Sequence, residues 1–364
     1  MTMTKTAAEK TGQAADELLN PEPAPDQTVL RVEDLKVHFP VERGLLKAVN
    51  GVSFQVSKGK TLGIVGESGC GKSITGKAIL GIQPKKTKVS GSVWLGDTDL
   101  LKLKPDGKEI RAIRGSKIGM IFQEPMAAFS PLYTVGNQIM ESILLHRTRN
   151  KREALELTID MLRRVGIANP EKRFYQYPHE FSGGMMQRAM IAMALSCGPE
   201  VLIADEPTTA LDVTIQAQVL ALMKELQEQF GMAILFITHD LGIVAEMCDE
   251  VAVMYLGKVV EQAPVREIYR NPKHPYTQGL LRSIPSLDRT VERLESIEGT
   301  VPVPLNMPPM CGFYDRCSQR IPGVCNVQNP EAVQLSDRHT ASCFLYWPEA
   351  SGGEERRNEH VVNA

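Results

Sequence analysis

The eight residues Gly66–Ser73, GESGCGKS, combine glycines, a lysine and a hydroxyl in the spacing G-x-x-x-x-G-K-[ST]. They lie between a continuous apolar run, TLGIV at 61–65, and a helix-like stretch. A turn of this kind points backbone N–H groups and a helix N-terminus at one anion. We therefore predict a phosphate-binding loop, in which Lys72 reaches the β- and γ-phosphates and Ser73 binds Mg²⁺. The expected nucleotide-binding residues of the loop are Gly66, Glu67, Ser68, Gly69, Cys70, Gly71, Lys72 and Ser73.

Two acids end a second apolar run, VLIADEP at 201–207. A buried strand that delivers carboxylates at its C-terminal end places them where an α/β sheet binds its ligand. We expect Asp205 to hold Mg²⁺ and Glu206 to act as the general base toward an attacking water. The alternatives are a chance Gly-rich turn and two solvated acids, and finding both features in one chain makes each alternative less favoured.

The elements that must position these residues alternate along the chain. Strand-like runs such as KIGMIF, VLIA and AILFIT are separated by helix-like runs such as IQAQVLALMKELQEQF. This alternation predicts an α/β layered fold with a mostly parallel sheet. The pattern is helical throughout from about 135 to 195, which indicates an inserted subdomain. A Pro- and Cys-rich stretch toward the C-terminus indicates a separate small module.

Composition excludes several classes of protein. The 364 residues carry a net charge of −2, which argues against a nucleic-acid partner because polyanion binding needs a basic excess. We find no uninterrupted apolar run of 18 residues, and the N-terminal segment has no apolar signal core. We therefore predict a polar disordered leader at 1–27 and a cytosolic location, where stable disulfides are rare.

Four further motifs resemble those of ABC ATPases and occur in that family's order. MIFQEP (120–125) resembles the Q-loop, EFSGGMMQR (180–188) the signature, TALD (209–212) the D-loop and FITHD (236–240) the switch histidine. Together with the phosphate loop, the resemblance implies a P-loop NTPase. The implied fold has a RecA-like core, an antiparallel β subdomain, an inserted α-helical subdomain and a small Cys-rich C-terminal module.

The resemblance also implies roles for single residues. Gln123 would touch Mg²⁺ or the attacking water, and His239 would contact the γ-phosphate and hold the active geometry with Glu206. Phe39 would form the aromatic platform for adenine. The alternatives are a helix-capping histidine and a phenylalanine of the strand core. The implied catalytic residues are Glu206, His239, Gln123 and Lys72.

A second anion-binding helix N-terminus is predicted at the signature, where Ser182, Gly183 and Gly184 precede a helical run. In ABC ATPases this end grips the ATP bound to the opposite subunit, so the resemblance implies a head-to-tail dimer. It adds Asp212 of the D-loop to the nucleotide-binding residues. The usual LSGGQ has Phe and Met at its first and last positions here, which leaves the phosphate-contacting residues in place.

The stretches NPKHPYTQGLLRSIP (271–285) and VVEQAPVREIY (259–269) resemble the ATPases of bacterial dipeptide and oligopeptide importers, close to the D-type subunit. This implies a peripheral protein on the cytoplasmic face of the inner membrane. Its implied partners are a second, non-identical ATPase, two permeases and, indirectly, a periplasmic or extracellular binding protein. Relatives with the same ATPase type import nickel chelates, glutathione or sugars, which is the alternative. A soluble, non-transport ATPase is less favoured.

Four of the seven cysteines follow the spacing C-x5-C-x7-C-x17-C: Cys311, Cys317, Cys325 and Cys343. Zinc is usually held by closer pairs, whereas four isolated thiolates can ligate an iron–sulfur cluster. Some of the resembled importer ATPases hold a 4Fe–4S cluster here. We therefore predict such a cluster, with zinc or plain reduced cysteines as alternatives.

These patterns predict a division into four parts. The leader at 1–27 is followed by the ATPase cassette at 28–270, the C-terminal module at 271–348 and a disordered tail at 349–364. The expected ligands of the chain are ATP, Mg²⁺ and the 4Fe–4S cluster.

Overall fold

The computed structural model describes residues 28–209, 211–284 and 297–347. The predicted leader and tail lie outside the described residues. Within these ranges no helix is long and apolar enough to cross a membrane.

A four-stranded antiparallel sheet is built from the first part of the described chain. Its strands are β1 (Thr28–Val41), β2 (Gly44–Ser57), β4 (Lys88–Leu95) and β5 (Thr98–Asp99). They run in the order β2-β1-β4-β5, and the long β1 pairs with both β2 and β4. Buried and exposed residues alternate along β2, as expected for a sheet with one face in the core.

The main sheet carries the site. Its described strands are β3 (Thr61–Val65), β6 (Ile118–Ile121), β7 (Val201–Asp205), β8 (Ala233–Thr238), β9 (Glu250–Tyr255), β10 (Lys258–Pro264), β11 (Val333–Ser336) and β12 (His339–Ala341). The order is β11-β12-β10-β9-β3-β8-β7-β6, and the five strands from β9 to β6 are parallel. Every residue of β3, β7 and β8 is buried, because both faces of a parallel sheet are covered.

The described residues form eleven helices, and several of them pack against the main sheet. They are α1 (Lys72–Ile79), α2 (Lys108–Ile113), α3 (Pro125–Ala128), α4 (Val135–His146), α5 (Lys151–Arg164), α6 (Pro170–Arg173), α7 (Gly183–Leu195), α8 (Val213–Phe230), α9 (Leu241–Met247), α10 (Val265–Arg270) and α11 (Pro275–Arg282). The helices α4, α5 and α7 pack together through Ile139, Leu162 and Met190, which belong to one buried cluster. The sequence predicts these three helices and the parallel strands.

The antiparallel extension β10-β12-β11 is not predicted by the sequence. In it β12 pairs with β10, so residues near the C-terminal end extend the same sheet that carries the phosphate loop. The charged Glu261 interrupts the apolar pattern of β10, although its side chain is buried. It accepts hydrogen bonds from the backbone N–H groups of Lys273 and His274 at 2.7 and 2.8 Å, and lies 2.8 Å from His339 Nε2.

Candidate active site

The phosphate loop joins β3 to α1, as the motif predicts. Gly71 caps α1 with φ +104°, and a Cβ there would lie 2.3 Å from the Ala48 carbonyl oxygen. Only glycine fits this left-handed, crowded position. The loop folds around its own lysine, because Lys72 Nζ donates hydrogen bonds to the carbonyl oxygens of Gly66 at 2.7 Å and Glu67 at 3.3 Å. The ammonium group is thus fixed at the loop, where phosphate oxygens would be bound.

Cys70 is fully buried within the loop. Burial raises the pKa of its thiol, so the side chain stays protonated near neutral pH. A protonated thiol is a poor nucleophile.

The two predicted Mg²⁺ ligands are in contact across the site. Ser73 Oγ, at the start of α1, donates a hydrogen bond of 2.7 Å to Asp205 Oδ1, at the end of β7. Burial raises the pKa of Asp205, and the Ser73 hydrogen bond and the nearby Lys77 oppose that shift. A hydroxyl and a carboxylate suit Mg²⁺, which prefers oxygen ligands and keeps several waters. The donor set therefore fits the predicted metal.

Two of the predicted catalytic residues contact the carboxylate of a third, Glu206. Gln123 Nε2 donates to Glu206 Oε2 at 3.1 Å, and His239 Nδ1 lies 3.2 Å from Glu206 Oε1. They come from the segments after β6, β7 and β8, so three neighbouring parallel strands deliver the group. Glu206 has φ +48°, a left-handed conformation that costs a non-glycine residue free energy. Its backbone N–H donates to the Ile237 carbonyl oxygen at 2.9 Å, which holds the conformation.

Thr209 is a member of this group that the sequence analysis missed. Its hydroxyl donates a hydrogen bond of 3.0 Å to Glu206 Oε2. The available signal was a hydroxyl three residues after the general base, inside the stretch identified only as a D-loop. The hydroxyl and the Gln123 amide share one carboxylate oxygen, which leaves the other oxygen to His239.

The signature residues lie apart from this group. Ser182 Oγ caps α7 by accepting a hydrogen bond from Met185 N–H at 3.3 Å, and both Ser182 and Gly183 are exposed. Asp212 caps α8 in the same way through Ile215 N–H, and a Cβ on Gly184 would lie 3.1 Å from Ile215. Among the described residues, no hydrogen bond joins the signature to the phosphate loop. The helix N-terminus therefore faces outward beside the D-loop.

Phe39 lies on β1, half-buried against the core that the two sheets share. Its position in the register is opposite Leu46 of β2. The adenine platform remains a prediction, and so does the strand-core alternative.

The four C-terminal cysteines line one small cavity and form no disulfide. Burial raises the pKa of Cys311 to about 11 and that of Cys343 to about 12, which favours protonated thiols. In the described part of the chain, no group of three or more His, Cys, Asp or Glu is placed to hold a metal ion. The predicted iron–sulfur centre therefore has no support from metal-site geometry.

Comparison with known families agrees with the geometry of the site. Residues 49–209 match the family described as "ABC transporter". Residues 260–325 match "Oligopeptide/dipeptide transporter, C-terminal region". The second match covers β10 to the third of the four cysteines.

Two bacterial proteins are similar over nearly their whole length. The probable peptide ABC transporter ATP-binding protein y4tR of Sinorhizobium fredii is 50% identical, over 87% of this chain and 94% of that protein. The dipeptide transport ATP-binding protein DppD of Bacillus subtilis is 48% identical, over 92% of this chain and 98% of that protein.

Solved structures show the same fold. The ATP-binding cassette MJ0796, dimeric and bound to ADP and phosphate, superposes with a TM-score of 0.58 at 24% identity, over 65% of this chain and 99% of its own. The cbiO1 protein of Clostridium perfringens gives 0.57 at 28% identity, over 68% of this chain and 92% of its own. The chain therefore belongs to the ATP-binding proteins of peptide ABC transporters and is an ABC-type ATPase.

Proposed function

We propose that this chain is the ATP-hydrolysing subunit that energises import of di- or oligopeptides through separate membrane permeases. The observation that carries the proposal is the convergence of Gln123 and His239 on Glu206, beside the Ser73–Asp205 pair. This catalytic arrangement occurs in a chain that is similar to dipeptide-transport ATP-binding proteins along most of its length. Nickel chelates, glutathione or sugars remain the alternative cargo.

The proposed chemistry uses the chain's own groups in distinct roles. Lys72 and the loop amides hold the β- and γ-phosphates, and Mg²⁺ on Ser73 and Asp205 would neutralise charge there. Glu206 takes a proton from the attacking water, and Gln123 and Thr209 fix the orientation of its carboxylate.

His239 would contact the γ-phosphate, because its side chain is half exposed although it also contacts the nearly buried Glu206. A contact from the exposed imidazole to a phosphate oxygen can then be made without disturbing the carboxylate. The histidine would thereby report the presence of the γ-phosphate to the general base.

A dimer is part of the proposal, because among the described residues the exposed signature end of α7 makes no hydrogen bond to its own phosphate loop. This end of α7 would contact the ATP bound to a second ATPase of different sequence. Closure of the two ATPases would then drive the permeases. The similar cassette MJ0796 is dimeric in its structure. That likeness supports pairing of cassettes and leaves the identity of the partner as a proposal.

The surface formed by the residues that follow Gln123 in the chain would bind the permease. Large apolar side chains are exposed there, including Met126 at 57%, Leu132 at 78% and Tyr133 at 61%. Tyr175 and Tyr177, in the segment after α6, are exposed as well. Contiguous exposed apolar side chains mark interaction sites. A permease helix docked here would place the chain on the cytoplasmic face of the membrane.

We also propose the 4Fe–4S cluster for the C-terminal cysteines, as a staple of that segment. The support is that all four thiols line one cavity. A multi-iron cluster spaces its ligands more widely than a single ion does, and the proposal is for a cluster of this kind. Iron content and colour after anaerobic purification test it, with Cys317→Ser as the disrupting variant and Cys197→Ser as its control. A colourless, iron-free wild-type protein would dismiss the cluster.

Co-purification tests the transport assignment. The full chain, tagged and extracted with its membrane, should bring down two multispanning permeases and a second ATPase, identified by mass spectrometry. Recovery of ribosomes or DNA-repair proteins in their place would overturn the proposal.

A further inference from the structure

One residue of the phosphate loop is held from outside the ATPase motifs. Glu67 accepts two hydrogen bonds from Arg316, from Nη1 to Oε2 at 2.7 Å and from Nη2 to Oε1 at 3.0 Å. This is a bidentate guanidinium–carboxylate pair, the strong and directional kind. The two residues are 249 positions apart in the sequence. A contact so distant in the chain needs the C-terminal segment to be folded against the loop.

Contacts outside the phosphate loop hold the Arg316 side chain in place. Its side chain is only 6% exposed, and it lies over the Tyr255 and Phe313 rings. Its Nε donates to the Glu298 carbonyl oxygen at 2.9 Å, and Nη2 also donates to that of Ile297 at 3.3 Å. A guanidinium held in this way loses little freedom when it pairs with a carboxylate.

The same loop residue is also held through its backbone. Glu67 N–H donates a hydrogen bond of 2.9 Å to the hydroxyl of Tyr276, which is fully buried on α11. The rings of Tyr255, Tyr276 and Phe313 lie 4.6 to 5.4 Å apart and form one aromatic cluster. Both contacts to Glu67 therefore come from one packed cluster, because Arg316 lies over the Tyr255 and Phe313 rings.

Glu67 is one of the expected nucleotide-binding residues, but its N–H and its carboxylate are both directed toward the C-terminal segment. Phosphate binding is therefore expected from Lys72 and the other loop amides. We propose that Arg316 and Tyr276 are positioning residues that hold the phosphate loop in its binding shape, so that the C-terminal segment sets the affinity for nucleotide. The inference rests on the proposed function for the identity of the ligand, ATP.

Binding of Mg·ATP to the full chain by titration calorimetry tests the inference. Arg316→Gln should weaken ATP binding about tenfold, within the usual range of coupling between sites. Arg316→Lys keeps the positive charge but cannot form the bidentate pair, so its ATP affinity should lie between those of the wild type and Arg316→Gln. Arg320→Gln is the matched control, because Arg320 lies in the same segment, over the Tyr314 ring, and makes no hydrogen bond to the loop in the described structure. The ATPase KM should rise by a similar factor while kcat at saturating ATP stays within about twofold.

A second pair of variants separates positioning from a folding defect. Glu67→Ala breaks the same contact from the loop side without changing the C-terminal segment, and Tyr276→Phe removes only a hydroxyl. In the Glu67→Ala background, Arg316→Gln should have little further effect, because the two residues act through one contact. Fluorescence of Trp347, which packs on Phe344, monitors the folding of the segment.

The outcomes are distinct. A wild-type chain that does not bind ATP would overturn the proposed function. A wild-type chain that binds ATP, with Glu67→Ala and Tyr276→Phe binding equally well, would overturn this inference alone. Full additivity of Glu67→Ala and Arg316→Gln would do so too.

Discussion

Glutamine in place of Glu206 removes a base and leaves the shape of the site unchanged. Oε2 accepts from Gln123 and Thr209, and the amide oxygen of the new side chain can accept both bonds. The amide nitrogen replaces Oε1, 3.2 Å from His239 Nδ1, and can donate a hydrogen bond to it in the tautomer that carries its proton on Nε2. We therefore expect the free energy of unfolding to change by less than about 0.5 kcal/mol.

The loss of turnover should be large, because an amide cannot take a proton from water. Removing a positioned general base costs roughly 10²–10⁴-fold in rate, or about 3 to 5 kcal/mol of barrier. Phosphate release under saturating Mg·ATP measures kcat, and calorimetry checks that ATP still binds. Glu200→Gln is the matched control, since the Glu200 side chain is half exposed and forms an ion pair with Lys117 at 3.3 Å, away from the site. A kcat near wild type for Glu206→Gln would refute the general-base role.

Three further predictions concern binding and stability. Lys72→Ala should abolish measurable ATP binding by calorimetry without unfolding the chain, and unchanged affinity would contradict the loop assignment. Glu261→Ala should lower the free energy of unfolding in urea by about 3 to 5 kcal/mol, because the N–H groups of Lys273 and His274 lose their acceptor and the buried His339 loses its partner. Alanine at the exposed Glu246 should change the free energy of unfolding by less than about 0.5 kcal/mol. Burial lowers the pKa of His274 from 6.5 to about 4, so the unfolded chain takes up a proton first as the pH falls. The free energy of unfolding should therefore be highest above pH 6.5 and decrease toward pH 4 by up to about 3 kcal/mol. His274→Asn, which can still cap α11, should make that decrease smaller. An equally steep pH profile in the variant would contradict the role of His274.

The central strands and the phosphate site could be predicted because their signals are local. A continuous apolar run is the mark of a strand buried on both faces, and β3, β7 and β8 each have one. The loop motif specifies its own turn, since Gly71 adopts a conformation that other residues avoid. Strand ends at one edge of a parallel sheet then bring Gln123, Glu206 and His239 together.

The remaining features depend on partners that are distant in sequence. β10 contains Glu261, and a charged residue in a sequence normally predicts an exposed position. Its burial depends on contacts with Lys273, His274 and His339, which only the folded chain brings together. The left-handed backbone of Glu206 contradicts local preference, and tertiary contacts maintain it. No sequence motif marks Arg316, because its contact with the phosphate loop joins residues 249 positions apart and forms only when the C-terminal segment has folded.

Uptake of a labelled dipeptide into proteoliposomes tests the central claim most directly. The complete transporter would be reconstituted with ATP enclosed on the side of this chain, and with its binding protein outside. The account predicts ATP-dependent accumulation of the peptide with the wild-type chain and none above background with Glu206→Gln. Accumulation that is equal with the two chains, or absent with the wild type while another solute is imported, would contradict it.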